Sequence, residues 1–312
     1  MIFVQIIFIA LGMALVLWGA DRFTDASTAI ARRYRISELV IGLTVVAIGT
    51  SLPEFMVSLF SALRGSSDMS VGNIMGSNIF NALMIVGASS IILPLSISKR
   101  ALFTDMPVAI GISIILVILG CQDGLSRWDG VGLVLIFSAY LGWTTYYARH
   151  HRTQDLYPEE KIMPPMHIVL YLLIGVLCLV VGARLMVDNA VKLAQAVGVS
   201  ERVIAITVLA TGTSLPEFAT SLVAAYKGRE GLAIGNVLGS NIFNILFALG
   251  PCAIIHPLMM NGLKVADFCY FIGSVTLLFV LSAMGGRIGR VKGSILILAY
   301  LIYVALLITY RN

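Results

Sequence analysis

Gly49-Thr50-Ser51-Leu52-Pro53-Glu54 recurs letter for letter as Gly212-Thr213-Ser214-Leu215-Pro216-Glu217. Each copy sets a proline and a glutamate inside an apolar run long enough to cross a bilayer. A carboxylate at membrane depth costs about 2.5–3.5 kcal/mol on insertion scales, so it reads as functional. A proline there offers no N–H and crowds the carbonyl four residues back. The carbonyl oxygens so freed must be buried in protein or line a wet cavity. Two such breaks, each carrying an acid, describe an ion site.

Outward from these hexapeptides the two halves of the chain are copies. Thr44–Phe55 matches Thr207–Phe218 at 10 of 12 positions, and Gly72–Asn81 matches Gly235–Asn244 at 8 of 10, both at an offset of 163. Ser37-Glu38 and Ser200-Glu201, Gly12/Gly19 and Gly175/Gly182, and Pro94 and Pro257 keep the same offset. Hydropathy predicts ten helices, near 2–20, 37–63, 69–94, 101–120 and 128–147, then 165–183, 200–226, 232–257, 265–284 and 291–310. An odd number of helices per copy makes the copies enter the membrane from opposite sides. The fold expected is therefore an all-α polytopic membrane protein with ten transmembrane helices in two inverted five-helix repeats, a common plan of secondary transporters. The repeats span 1–147 and 165–312, joined by a linker over 148–164 that holds acids, bases and prolines.

Composition agrees. The 312 residues are 59% hydrophobic and 12% charged, against about 25% charged in a soluble domain. No period-two alternation suggests a barrel. The net charge of +5 comes without a basic stripe, which excludes a nucleic-acid partner; the bilayer is the expected surround. Cys121, Cys178, Cys252 and Cys269 are scattered singly and read as small packing hydrophobes. The first apolar run lacks a basic leader and a cleavage pattern, so it reads as a mature first helix. The four histidines read as interfacial, and most aspartates, including Asp21, Asp105 and Asp188, as solvated charge near helix ends. With the N-terminus outside, 14 Lys and Arg fall on the inner side and 7 on the outer. The positive-inside rule then puts the linker in the cytoplasm and the protein, multi-pass, in the plasma (cell inner) membrane.

The candidate site is an oxygen cluster. Ala47, Thr50, Ser51 and Glu54 share one helix face, as do Ala210, Thr213, Ser214 and Glu217. Asn73, Ser77 and Asn81 form a second face, repeated by Asn236, Ser240 and Asn244. Taken singly, a membrane Ser or Thr often bonds its own backbone, an Asn often links helices, and the paired glycines Gly72/Gly76 and Gly235/Gly239 signal only close packing. Duplication of the whole set is what marks a site. Without His or Cys, the set suits hard cations. Calcium accepts about 6–8 oxygens in loose geometry. Two carboxylates balance one Ca²⁺, or two or more Na⁺, and competition for the same acids is the physical basis of exchange. The glycines of helices 1 and 6 offer a smooth face that could slide against the core, with static packing as the alternative.

At the duplicated GTSLPE and GNxxGSNxxN blocks the chain resembles the sodium/calcium exchangers of the cation/calcium exchanger superfamily, over nearly its full length. It resembles the small prokaryotic members, since the linker is too short for a calcium-regulatory domain. The resemblance implies a core of helices 2, 3, 7 and 8, with helices 1 and 6 as a mobile pair. It implies that Glu54 and Glu217 bind calcium with the Thr50 and Thr213 carbonyls. Sodium would use Ala47, Ser51 and Ser77 on one side and Ala210, Ser214 and Ser240 on the other, with Asn81 and Asn244 lining the centre. In relatives one of these two asparagine positions can be Asp, as in potassium-dependent exchangers; Asn at both argues against potassium cotransport. Proton-coupled relatives usually carry Gly-Asn where this chain has Gly49-Thr50 and Gly212-Thr213, which favours sodium.

The function expected is an antiporter, not an enzyme, with no cofactor: sodium exchanged for calcium by alternating access, in a monomeric functional unit. The rivals are calcium/proton exchange on the same scaffold, a passive cation channel, and an intramembrane hydrolase using Ser51 or Glu54. The hydrolase lacks a companion His or second acid in either motif.

Overall fold

In the computed structural model, residues 2–122, 124–151, 163–196, 210–260 and 262–310 are described. The chain is helical almost throughout. Helix α1 covers Ile2–Tyr34; α2 covers Glu38–Thr50 and α3 Leu52–Leu63, the two meeting at a 47° bend. Then come α4, Ser67–Ile92; α5, Ala101–Gly120; and α6, Arg127–His150. In the second half α7 covers Pro165–Ala196, a turn covers Ala210–Gly212, and α8 covers Leu215–Tyr226. Helices α9, Glu230–Ile255, α10, Val265–Ala283, and α11, Arg290–Tyr310, complete the chain. Among the described residues eight helices are long and apolar enough to cross a membrane, nine with the bent pair counted once. The expected seventh helix lies partly outside the described residues, at 200–209, as do 152–162 of the linker.

The break at Ser51 has a local cause. Pro53 has no N–H for the Gly49 carbonyl, and Pro at the second position of a new helix is well tolerated. Ser51 sits at φ −86°, ψ 7°, leaving the α-helical path, and Ser214 repeats it at φ −87°, ψ 7°. Further along, α4 and α9 each contain a widened π-helical turn that starts at an asparagine, Asn81–Ile85 and Asn244–Ala248. Such turns shift the hydrogen-bond register and gather at functional sites.

Helices α4 and α9 form the centre. Their apolar windows are 78% buried, against 17% in α11. The bent α2–α3 and the α8 segment pack against them. Two short pairings tie the halves at the rim: β1, Leu95–Ser96, with β2, Arg287–Ile288, and the single bridge Leu125 to Leu258. Leu95 pairs with Ile288; Leu258 and Leu125 stand at the same offset of 163 from those two, so the pairings are counterparts.

Helices α1 and α7 depart from the expectation in three ways. They run to Tyr34 and Ala196, well past the expected ends at 20 and 183. The charges there sit on a helix whose other faces are covered: Thr24, Ser27 and Ala26 are buried. Asp21 and Asp25 are accordingly not loose charges at a helix end, since Lys227 Nζ lies 2.6 Å from a carboxylate oxygen of each. Their glycines face each other rather than the core. A Cβ on Gly12 would stand 2.7 Å from Gly182 O, and one on Gly19 2.9 Å from Gly175 O. The glycine face is thus taken up by α1–α7 contact.

Asp105 is also corrected. It is fully buried, accepts from Tyr140 OH at 3.0 Å and lies 3.4 Å from Arg100 Nε, with the Arg100 guanidinium over the rings of Trp143 and Tyr147. This cluster pins α5 to α6.

Candidate ion-binding site

The two helix breaks meet at the core. Ser51, at the first break, donates its Oγ–H to Glu217 Oε1 at 2.7 Å; Ser214, at the second, donates to Glu54 Oε1 at 2.8 Å. The exchange is reciprocal: each half's serine holds the other half's acid. Ser77 Oγ adds a longer contact to Glu54 Oε1 at 3.5 Å. All five residues are fully buried.

A second layer fixes the backbone carrying the acids. Asn73 Nδ2 donates to Glu54 O at 3.3 Å and to Ser58 Oγ at 3.1 Å. Asn236 Nδ2 does the same to Glu217 O at 3.3 Å and Ser221 Oγ at 2.9 Å. Thr50 Oγ1 donates to Asn236 Oδ1 at 3.1 Å. Asn81 Nδ2 donates to Asn241 Oδ1 at 3.1 Å, and Asn244 Nδ2 to Asn78 Oδ1 at 3.0 Å.

What remains is a surplus of acceptors. Glu54 Oε2, Glu217 Oε2, Asn81 Oδ1 and Asn244 Oδ1 are buried and accept no hydrogen bond. Neither glutamate forms an ion pair with a Lys, Arg or His among the described residues. Buried carboxylates without a counter-charge are costly. A cation relieves that cost; no group of three or more His, Cys, Asp or Glu that could hold a metal ion occurs among the described residues, so the two acids would act with neutral oxygens. The donor set is carboxylate, amide and hydroxyl oxygen, the chemistry of hard cations.

The expected site residues mostly converge. Glu54, Glu217, Thr50, Ser51, Ser214, Ser77, Asn81 and Asn244 join the network described. Ser240 is buried on α9 with no partner for its Oγ. Ala47 contributes its carbonyl, which accepts from Ser51 N at 3.0 Å. Thr213 lines a cavity, and Ala210 is described in its backbone alone. Two residues were not singled out from the sequence, Asn78 and Asn241. They lie inside the repeated GSNxxN block at the common offset, and that was the available signal.

The cavity, about 980 Å³, reaches Thr213 and Asn73 from the side that carries Asp68, Arg184 and Gly262. In the second half the glycines at the same offset pack against α2. A Cβ on Gly239 would stand 2.6 Å from Leu43 Cα, and one on Gly235 2.9 Å from Gly42 Cα.

Comparison with known proteins gives the same kinship from three sides. A family model described as sodium/calcium exchanger protein matches residues 4–146 and again 167–309. Inner membrane protein YrbG of Escherichia coli (strain K12) is 34% identical over 95% of this chain and 94% of its own. Sodium/calcium exchanger MaX1 of Methanosarcina acetivorans is 27% identical over 98% of this chain and 99% of its own. A solved structure of the sodium-calcium exchanger NCX_Mj, soaked with Na⁺ and Ca²⁺, superposes with a TM-score of 0.84 at 34% identity, covering 98% of this chain and 99% of that one.

Proposed function

We propose that this chain, which belongs to the sodium/calcium exchanger family, exchanges sodium for calcium at one oxygen site near the bilayer midplane, by alternating access. The single observation behind this reading is the reciprocal pair of buried carboxylates, Glu54 with Ser214 and Glu217 with Ser51, left without a cationic side chain.

Glu54 and Glu217 hold calcium together with the Thr50 and Thr213 carbonyls. Sodium takes flanking positions at Ala47, Ser51 and Ser77 and at Ala210, Ser214 and Ser240, with Asn81 and Asn244 between. Calcium and sodium cannot load together because both need the same two acids. A site stripped of both leaves two like charges in low dielectric, so a crossing without ions is disfavoured. Ten helices in two inverted repeats, 1–147 and 165–312, carry the site in a monomeric unit. The N-terminus is outside and the 148–164 linker cytoplasmic, in the cell membrane. On that orientation the cavity opens outward. The NCX_Mj structure concerns extracellular ion exchange and induced binding-site occlusion, and the same route suits this chain.

The test is labelled calcium uptake into liposomes holding the purified protein, under sodium, potassium and proton gradients in turn. Uptake driven by sodium alone is expected. Uptake driven by a pH gradient without sodium makes it a calcium/proton exchanger. Flux that needs no counter-ion makes it a channel.

A further inference from the structure

Asn78 and Asn241 give no oxygen to the unpartnered set, yet both are buried beside it, at 0% and 1% exposure. Each gives its Nδ2 to the other's backbone carbonyl: Asn78 Nδ2 to Asn241 O at 3.0 Å, Asn241 Nδ2 to Asn78 O at 3.4 Å. A carbonyl only accepts, so these contacts decide which end of each amide faces it. The other ends, Asn78 Oδ1 and Asn241 Oδ1, are therefore acceptors. They receive Asn244 Nδ2 at 3.0 Å and Asn81 Nδ2 at 3.1 Å. The direction of the whole chain of bonds follows from its two backbone ends. Turning over Asn81 or Asn244 would set oxygen against oxygen and leave an NH₂ group where an unpartnered Oδ1 now stands.

We propose that Asn78 and Asn241 are positioning residues for the cation site: they lock the amides of Asn244 and Asn81 so that these present oxygen, never N–H, to the bound ion. This rests on reading the glutamate pair as a cation site. The physical consequence is electrostatic. A hard divalent cation needs oxygen donors, and an N–H dipole facing it would repel it. Neither residue touches the ion, so each acts only through the asparagine it holds.

The experiment is a double-mutant cycle on calcium binding, measured by titration calorimetry on the purified full-length chain. Asn244→Leu removes an ion ligand, and Asn78→Leu removes the acceptor that orients it together with the donor to Asn241 O. Each is expected to weaken calcium binding by about tenfold, which is about 1.4 kcal/mol and within the range of a neutral hydrogen bond. The double variant is expected to match Asn244→Leu within about twofold, because both changes act on one oxygen. Multiplying losses, or calcium affinity unchanged in Asn78→Leu, would overturn the proposal. Asn241→Leu with Asn81→Leu is expected to repeat the pattern. Asn78→Asp, its carboxyl protonated towards Asn241 O, keeps both that donor and an acceptor for Asn244 Nδ2 and is expected within about threefold of wild type. A loss of about tenfold or more there overturns the proposal, and that result does not need the leucine variant to fold. Wild-type protein that binds calcium but does not exchange it for sodium in liposomes sinks the exchanger reading and leaves this cycle standing. Wild-type protein that binds no calcium overturns both.

Discussion

Gly72-Asn73-Ile74-Met75-Gly76 and Gly235-Asn236-Val237-Leu238-Gly239 are nearly the same pentapeptide in opposite surroundings. In the first half Gly72, Asn73 and Gly76 are half-buried beside the 980 Å³ cavity. In the second Gly235, Asn236 and Gly239 are buried against the backbone of α2. Among the described residues the same pentapeptide lies beside a cavity in one half and against α2 in the other; the positions that match Leu39, Gly42 and Leu43 at the common offset, 202, 205 and 206, lie outside the described residues. Glycine serves both settings, since it lets α2 approach α9 closely and narrows nothing where the cavity lies. At the acids themselves the two halves are alike, with matching serine contacts of 2.7 and 2.8 Å. Among the described residues the difference between the halves thus lies away from the acid–serine pairs.

The largest effect that could break this comparison is a leucine in each pentapeptide. Gly235→Leu drives a side chain into α2, where overpacking typically costs about 1–3 kcal/mol and backbone contact more. The expected fall in thermal stability is at least about 6 °C, from about 2–4 °C per kcal/mol. Gly72→Leu meets no described atom within 4 Å and is expected to melt within about 2 °C of wild type. It is also expected to slow flux, because the side chain would narrow the cavity beside Asn73 and Thr213. Equal melting losses in a thermal-shift assay would erase the distinction between the halves.

A middle-sized effect sharpens the likeness at the acids. Ser51→Ala and Ser214→Ala each remove one hydrogen bond to a carboxylate, worth about 1.5–3 kcal/mol. Each is expected to slow sodium-driven calcium uptake by about tenfold, and by the same factor. A disparity beyond about fivefold in side-by-side initial rates, on the scale of tenfold per 1.4 kcal/mol, would show that the site shares the asymmetry of its access route.

The smallest effect concerns the rim. Lys227 ties α1 to the end of α8 through Asp21 and Asp25. At the common offset its counterpart is Arg64, and that of Asp25 is Asp188, which pairs instead with Arg184 at 3.8 Å. Partly exposed pairs contribute about 0.2–1 kcal/mol. Lys227→Ala is expected to lower melting by a degree or two at low salt, with the difference gone near 1 M salt. Arg64→Ala is expected to change nothing in this conformation. A larger loss from Arg64→Ala would mean that Arg64 already pairs with Asp188.

The sequence made the centre of the molecule legible because the chemistry there is costly and repeated. Pro53 with Glu54, and Pro216 with Glu217, cannot be idle at membrane depth, and the common offset pairs them. Burial at the other positions follows from contacts that no local pattern encodes. Hydropathy ends α1 near residue 20, yet the helix continues to Tyr34, where Lys227, more than 200 residues away in the chain, meets the charges of Asp21 and Asp25. Asp105 resembles any interfacial aspartate until Arg100 and Tyr140 are folded onto it. The glycines of α1 and α7 marked a close approach but not its partner. Asn78 and Asn241 were visible inside a repeated block, but their role depends on the sense of hydrogen bonds across the two halves. The difference between the cavity side and the packed side was not legible at all, since both copies read alike.

The central claim is that one cation is shared by two acids, one from each half. Counting calcium bound per chain by equilibrium dialysis, in wild type, Glu54→Gln and Glu217→Gln, tests it most directly. The account predicts a single calcium in the wild type and none in either variant, with both variants still folded. A full calcium retained by either single variant would contradict it.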